Sequence, residues 1–413
     1  MGSEWGKLAF IDAVEINPSI TLKKGHRYPF VDMKAVDPSW RNVSESEYRD
    51  FSSGGARFKP YDTLMARITP CLENGKFARY VPTEGNEGPA FGSTEFIVIR
   101  GRDGVTDNNF AYYLTQWQEF RQFAISQMTG SSGRQRVPAE SFSNFSVPVP
   151  TLPEQRAIAH ILGTLDDKIE LNRKMNETLE AMARALFKNW FVDFLPVRAK
   201  AESHDTGLPK EIADLFPDAF VDSELGDIPK GWHTNTLGNI LELAYGKALK
   251  EAIRRPGSIP VFGSNGQVGW HDEKLTEGPG IVVGRKGNPG IITWVHTDFF
   301  PIDTTFYVVP KSECRSLYFL FYALQAQDVA SLGADSSVLG LNRNLAYMNK
   351  QVIPPPDVLN AFDKQVKPLF ERIFQNTEES RILAALRDTL LPKLISGALR
   401  VPDAERFIEE AGG

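Results

Sequence analysis

The sequence predicts an α+β protein with two globular α/β domains, each followed by a long helix whose apolar positions repeat like a coiled-coil seam. Three observations lead there. Two long heptad-like stretches lie half a chain apart in one register, the segments ahead of them repeat in the same order, and 413 residues exceed one ordinary hydrophobic core.

The first helical stretch runs from Pro153 to about Phe194, the second from about Asp357 to Ser396. Steps of four and three pick out Ile158, Leu162, Leu165, Ile169, Asn172, Asn176, Leu179, Ala183, Leu186 and Trp190 in the first. The same steps give Phe362, Val366, Leu369, Ile373, Asn376, Ser380, Leu383, Arg387, Leu390 and Leu394 in the second, with no insertion. That is the period of a helix seam rather than of a helix lying on a globular core. At about 1.5 Å per residue, each helix spans roughly 60 Å. Asn172 and Asn376 share a seam position, with Asn176 and Ser380 beside them. A buried Asn weakens a seam but fixes its register, whereas in a frayed or solvated stretch it does neither. Pro368 and Pro392 predict a kink or an early end in the second helix.

The preceding segments correspond as well. KPYDTLMARITPCLENGKFARY and FGSTEFIVIRG lie within residues 59–101; GPGIVVGRKGNPGIITWV and FPIDTTFYVVP lie within 278–310. Each reads as an apolar strand, an Arg-bearing Gly/Pro loop, a second strand, and a strand opening on Thr-Glu-Phe or Thr-Thr-Phe. An aromatic helix follows (FAYYLTQWQEFRQF, SLYFLFYALQAQ), then a Gly/Ser-rich loop (TGSSGRQRV, SLGADSSVLGLNRN), then a proline-rich exit into the long helix. The expected boundaries are 1–150 and 231–356 for the globular domains, 151–195 and 357–398 for the helices, 196–230 for a Pro/Gly/Asp-rich connector, and 399–413 for a tail.

Composition narrows the function. A hydrophobic content of 42% and a charged content of 24% are those of a soluble globular protein. No apolar run is long enough to span a bilayer, and the N-terminus lacks the features of a secretory signal. Cys71 and Cys314 are far apart without zinc-like spacing, so a cytoplasmic, disulfide-free protein is expected. A net charge of −6 argues against coating nucleic acid through bulk charge. It leaves room for a reader that concentrates Arg and Lys on one face, with partners supplying part of the grip.

Catalytic signatures are missing. There is no Gly-rich cofactor loop after a strand and no Asn/Asp-Pro-Pro-aromatic tetrapeptide; Pro354, Pro355 and Pro356 are flanked by Ile353 and Asp357. No phosphate-binding GxxxxGK[ST] loop and no G-x-S-x-G elbow occur. Asp272, Glu273 and Lys274 form the one nuclease-like fragment, without an upstream carboxylate partner, and six scattered histidines offer no metal spacing. No catalytic or metal-binding residue is assigned.

Three stretches carry a family resemblance that spans essentially the whole chain. LPEQRAIAHILGTLDDKIELNRKMNETLEAMARALFKNWFVDF, then IPVFGSNGQVGWHDE with GPGIVVGRKGNPG and FPIDTTFYV, then LLPKLISGALRVP resemble segments of the specificity subunits of type I restriction–modification systems, in their full-length two-domain form. The resemblance implies a non-catalytic DNA-reading chain. Each globular domain would be a target-recognition domain for one half of a split site, and the helices would pair as an antiparallel coiled coil that sets the spacer. Because the two halves have diverged, the site is expected to be asymmetric. The implied partners are double-stranded DNA, two modification (methyltransferase) subunits and restriction/translocase subunits, in a prokaryotic cytoplasm and away from membranes. S-adenosylmethionine, ATP and Mg are expected on the partner subunits alone, with no cofactor on this chain. A coiled-coil scaffold without sequence-specific DNA binding, or an enzyme with an unfamiliar site, are the competing readings.

Under the DNA-reading expectation, Arg67 and Arg285 occupy matching places in the paired loops. An arginine there can fork onto guanine or clamp a phosphate, or merely pair with a nearby carboxylate. Lys76 and Lys286 are candidate phosphate contacts, and Asn74 and Asn288 candidates for an adenine edge. Ser131, Ser132, Arg134, Gln135 and Arg136 combine small hydroxyls with guanidiniums on the first Gly/Ser loop; Ser336, Ser337, Asn342, Arg343 and Asn344 take the equivalent place in the second. Ser264 and Asn265 form a turn that either reaches a groove or only shapes a hairpin. The aromatic runs Tyr112, Tyr113 and Trp117, and Tyr318, Phe319, Phe321 and Tyr322, have helical spacing that assigns them to core packing. The seam expected to hold the helix pair comprises Leu162, Leu165, Ile169, Asn172, Leu179 and Leu186 with Val366, Leu369, Ile373, Asn376, Leu383 and Leu390.

Overall fold

The computed structural model describes residues 5–83, 86–327, 340–404 and 406. The chain is α+β and divides into two compact units, Met1–Asn172 with Glu378–Gly413, and Arg173–Thr377. The division falls within the long helices, so each unit contains one globular domain and one stretch of each helix.

In the first unit, strand Gly6–Ala9 pairs antiparallel with Ser146–Val149, and a helical turn at Phe10–Ala13 leads into Val14–Ile16. That strand starts a five-stranded sheet in the order Val14–Ile16, Phe96–Gly101, Thr63–Ala66, Phe77–Tyr80, Asn42–Val43. A second sheet runs Glu47–Asp50, Arg27–Val31, Ala90–Gly92, Ala56–Phe58. The run Phe-Ile-Val-Ile at 96–99 is apolar throughout because both faces are covered. Ile97 and Ile99 pack under Phe110, Tyr113 and Leu114, whereas Phe96 and Val98 join Val31, Phe58 and Tyr80 on the other side. Helix Asn108–Gln116 starts where Asp107 accepts the amides of Asn109 and Phe110, the local signal for a helix start.

The second unit repeats this plan. His233–Thr236 pairs with Lys350–Ile353, a turn at Leu237–Ile240 follows, and the sheet runs Leu241–Tyr245, Thr305–Pro310, Gly280–Gly284, Ile292–Val295. Its second sheet is Gly266–His271, Ile259–Gly263, Phe300–Pro301. The parallel pairing of Val261 with Phe300 matches that of Phe30 with Phe91 in the first unit. Duplication therefore extends to strand order and sense, and the first unit adds Asn42–Val43 and Ala56–Phe58 as extra edge strands.

The long helices are Leu152–Phe191 and Pro356–Ser396. In the first unit, Ile158, Leu162 and Leu165 share a core with Leu390, Leu391 and Leu394, so the start of one helix lies beside the end of the other. In the second unit, Phe187, Trp190 and Phe191 share a core with Phe362, Val366 and Phe370. The pairing is antiparallel in each. Ile169 is also buried, while Leu179, Leu186, Leu369, Ile373 and Leu383 are half-buried. The polar seam positions meet each other. Asn172 donates to Ser380 at 3.3 Å and to Glu379 at 2.8 Å in the first unit, and Asn376 donates to Asn176 at 2.8 Å in the second. Asn172 and Asn376 are buried, not part of a frayed or solvated stretch.

Of the two outcomes expected at Pro368 and Pro392, a kink or an early end, the early end does not occur. Both prolines are exposed, as are Lys364 and Asp388, whose carbonyls lose an amide partner, so the helix continues where water can take the place of the lost bond. The Pro/Gly/Asp-rich connector 196–230 contributes to helix Leu195–Ala201, forms helix Lys210–Ala213, and buries Val197, Phe216 and Ile228 in the second unit's core.

Candidate nucleic-acid interface

Arg67 and Arg285 each stand one residue past the central strand of their sheet. The Arg67 amide donates to the Glu95 carbonyl at 2.9 Å, and its own carbonyl accepts the Val137 amide at 2.9 Å. The Arg285 amide donates to the Thr304 carbonyl at 2.9 Å, and its carbonyl accepts the Leu341 amide at 2.9 Å. One main-chain frame thus carries both arginines, tying the Arg loop to the strand beside it and to the exit of the Gly/Ser loop.

The side chains around the two frames differ. In the first unit, Arg67 lines an open groove of about 390 Å³ with Asn17, Ser19, Arg57 and Thr94. The buried Nε of Arg67 has no hydrogen-bond partner among the described residues. In the second unit, the guanidinium carbons of Arg285 and Arg343 each lie 4.8 Å from the ring centroid of Tyr245. Arg285 also donates to the Asp303 carbonyl at 3.0 Å, and Arg343 to the Leu243 carbonyl at 3.3 Å. Neither arginine has a carboxylate within 4.0 Å among the described residues, and Tyr245 is 50% exposed. Two positive, donor-rich groups are therefore held rigidly beside an accessible aromatic ring, an arrangement suited to acceptor atoms on a base edge or a phosphate. Strand pairing aligns Val14 with Leu241, which places Pro18 at the position of Tyr245. The repeat therefore gave no sign of this aromatic; its signal was an exposed Tyr at a strand end, directly before Gly246 and Lys247.

Other candidates divide into those that face solvent and those held by the fold. Asn74, Ser131, Ser132 and Arg134 are exposed, and the Arg134 amide closes a turn onto the Ser131 carbonyl at 3.0 Å. Gln135 is half-buried, its carbonyl accepting the Thr69 amide at 3.0 Å. Arg136 binds Glu95 through Nε and Nη2 at 2.9 and 2.6 Å, and these hydrogen bonds hold the Glu95 carboxyl below its ordinary range. The Lys76 ammonium donates inward to the Met33 carbonyl at 3.0 Å. In the second unit, Lys286, Asn288 and Asn344 are exposed, and Asn288 donates to the side chain of exposed Asn265. Ser264 is buried and donates to the Thr304 carbonyl at 2.6 Å. Asn342 caps helix Arg343–Met348 by accepting the amides of Asn344 and Leu345. Ser336 and Ser337 lie outside the described residues. Lys76, Arg136, Ser264 and Asn342 thus have internal partners that compete with any ligand.

Tyr112, Tyr113, Trp117, Phe319, Phe321 and Tyr322 are buried in the two cores, and Tyr318 stacks on Trp294 at 4.7 Å. Asp272 and Glu273 both pair with Arg255, and Lys274 with Asp298 and Glu277. Among the described residues, no group of three His, Cys, Asp or Glu side chains is placed to hold a metal ion. No helix among them is long and apolar enough to cross a membrane.

A network absent from the sequence reading anchors the first globular domain to the helices of its unit. Tyr113 donates to Asp166 at 2.8 Å, Arg387 donates to the other Asp166 oxygen at 2.7 Å, and Arg41 donates to the Gly163 carbonyl at 3.1 Å while pairing with Asp167. Burial opposes the charge on Arg41, but Tyr113, Asp167 and Asp166 outweigh it and raise its pKa. Arg387 behaves likewise, with Asp166 the main compensating group.

Residues 72–181 match the type I restriction modification DNA specificity domain. The chain is 26% identical to the type I restriction enzyme HindI specificity subunit of Haemophilus influenzae, over 83% of this chain and 87% of that one. It is 26% identical to the MjaIX specificity subunit of Methanocaldococcus jannaschii, over 94% of this chain and 87% of that one. In fold it is similar to the type I restriction–modification S subunit of M. genitalium, with a TM-score of 0.59 at 19% identity, covering 95% of this chain and 96% of that one.

Proposed function

We infer that this chain, a member of the family of type I restriction–modification specificity subunits, reads one half of a split, asymmetric DNA site with each of its two globular domains. The observation that carries this reading is the duplicated main-chain frame around Arg67 and Arg285, occupied by different neighbours in the two units. A shared frame supports a shared task; Tyr245 and Arg343 in one unit against an open groove in the other support different sequences.

The assigned target-recognition domains are residues 1–150 and 231–356, with Arg67, Asn74, Ser131, Ser132 and Arg134 facing the first half-site. Arg285, Lys286, Asn288, Arg343 and Asn344 face the second. The antiparallel helix pair is the spacer ruler, and its exposed positions outside the seam are the docking surface for two modification subunits. S-adenosylmethionine, ATP and Mg belong to the modification and restriction subunits, and the complex works in the cytoplasm.

Selection from a random pool of duplexes, using this chain in complex with its modification subunit, tests the reading. The bound fraction should be enriched in two short defined sequences at a fixed separation. A stable complex that enriches no sequence would leave a scaffold in place of a reader.

A further inference from the structure

We propose that a polar cavity of about 470 Å³ in the first unit is a binding site for a phosphate group, held by Arg79 and Arg156 with His160. Arg79 lies on strand Phe77–Tyr80, and the exposed Arg156 and His160 are one turn apart on helix Leu152–Phe191, so the cavity is an open pocket between a strand and a helix.

The charges lining it do not balance. Arg41, Arg79 and Arg156 contribute three guanidiniums, while Asp107 and Asp167 are the carboxylates. Asp167 pairs with Arg41, and Asp107 with Arg156 at 3.6 Å. Arg79 has no carboxylate within 4.0 Å among the described residues; its Nε donates to the Asn42 amide oxygen at 3.1 Å and its Nη1 to that of Asn109. Burial, followed by the charge of Arg41, pushes the Arg79 pKa down, the mark of a cation short of negative charge. A phosphate brings the missing charge together with several acceptor oxygens, and guanidiniums are the side chains best matched to it. The site is separate from the reading loop: Arg79 pairs with Thr63 at the start of the central strand, and Arg67 follows its other end.

Calorimetric titration of the full chain with inorganic phosphate at constant ionic strength is the test, and it is independent of whether the chain reads DNA. Saturable binding that weakens about tenfold or more in Arg79→Gln and in the solvent-facing Arg156→Gln, and is unchanged in Lys210→Gln, would support the site. Absent binding, or binding that both arginine variants retain, would overturn it. Duplex binding by the same variants then separates the sources. A salt dependence reduced by about one counterion in Arg79→Gln would identify a DNA backbone phosphate; an unchanged slope alongside lost phosphate binding would identify a small free phosphate compound.

Discussion

The Arg343 guanidinium carbon lies 4.8 Å from the ring centroid of Tyr245, a half-exposed tyrosine at the end of a sheet strand. Arg285 shares that ring, so Tyr245 packs against both of these arginines. Tyr245→Ala removes two cation–π contacts, each of about 0.5–1 kcal/mol at an exposed site. Affinity should fall about five- to thirtyfold on duplexes containing the second half-site, and far less on duplexes in which that half is scrambled. Competition binding with half-scrambled duplexes measures this directly.

Arg67→Ala should weaken recognition of the first half-site alone, and Arg285→Ala that of the second, each by about 1–3 kcal/mol if the contact is bidentate to a base. A loss spread evenly over all sequences would identify phosphate contacts instead. Equilibrium binding to matched and single-substituted duplexes distinguishes the two.

Leu165 is buried in the first unit's helix seam, whereas Leu369 is half-buried in the second's. An aspartate at either position places a carboxylate against apolar neighbours. Leu165→Asp should therefore cost about 3 kcal/mol or more, and Leu369→Asp measurably less. Urea unfolding midpoints give the comparison, and pull-down of the modification subunit shows whether assembly follows stability.

Asp166 accepts from both Tyr113 and Arg387 inside the first unit. Asp166→Ala leaves the buried Tyr113 hydroxyl without its acceptor and the half-buried Arg387 guanidinium with Asp388 alone, which should cost about 1–3 kcal/mol. Asp166→Asn keeps the shape and one acceptor oxygen, and should cost less. Thermal unfolding of the two variants checks the order.

His296 stacks on Phe374 at 4.8 Å, and burial lowers its pKa from 6.5 to about 4. The folded state holds this imidazole neutral, so its contribution to stability is present above pH 6.5 and declines as the pH falls toward about 4. Replacing it by Phe should flatten that part of the stability–pH curve, as measured by unfolding at a series of pH values.

Much of this architecture was legible in the residues. Heptad spacing carried both long helices because a continuous seam has one period, and the repeat exposed the equivalence of Arg67 and Arg285 because main-chain frames outlast side-chain change. Hydrogen-bond partners were not legible. Nothing in the spacing shows that Lys76 turns inward to Met33 or that Arg136 meets Glu95, since these pairings depend on strands distant in sequence. Tyr113 was read as core from its helical spacing, and it is buried, but its hydroxyl also completes the Asp166 network. Tyr245 escaped because its repeat partner is Pro18, and a difference between halves leaves no periodic trace. An early end was one of two outcomes expected at Pro368 and Pro392, and it does not occur, because sequence does not reveal which face of the helix meets water.

The central claim, that two diverged domains read two halves of one site, is tested most directly by genome-wide mapping of methylated adenines after co-expressing this chain with its modification subunit. The account predicts a split motif, two short and different halves around an unspecified spacer of fixed length. An undivided motif, or a stable complex that methylates no defined sequence, would contradict it.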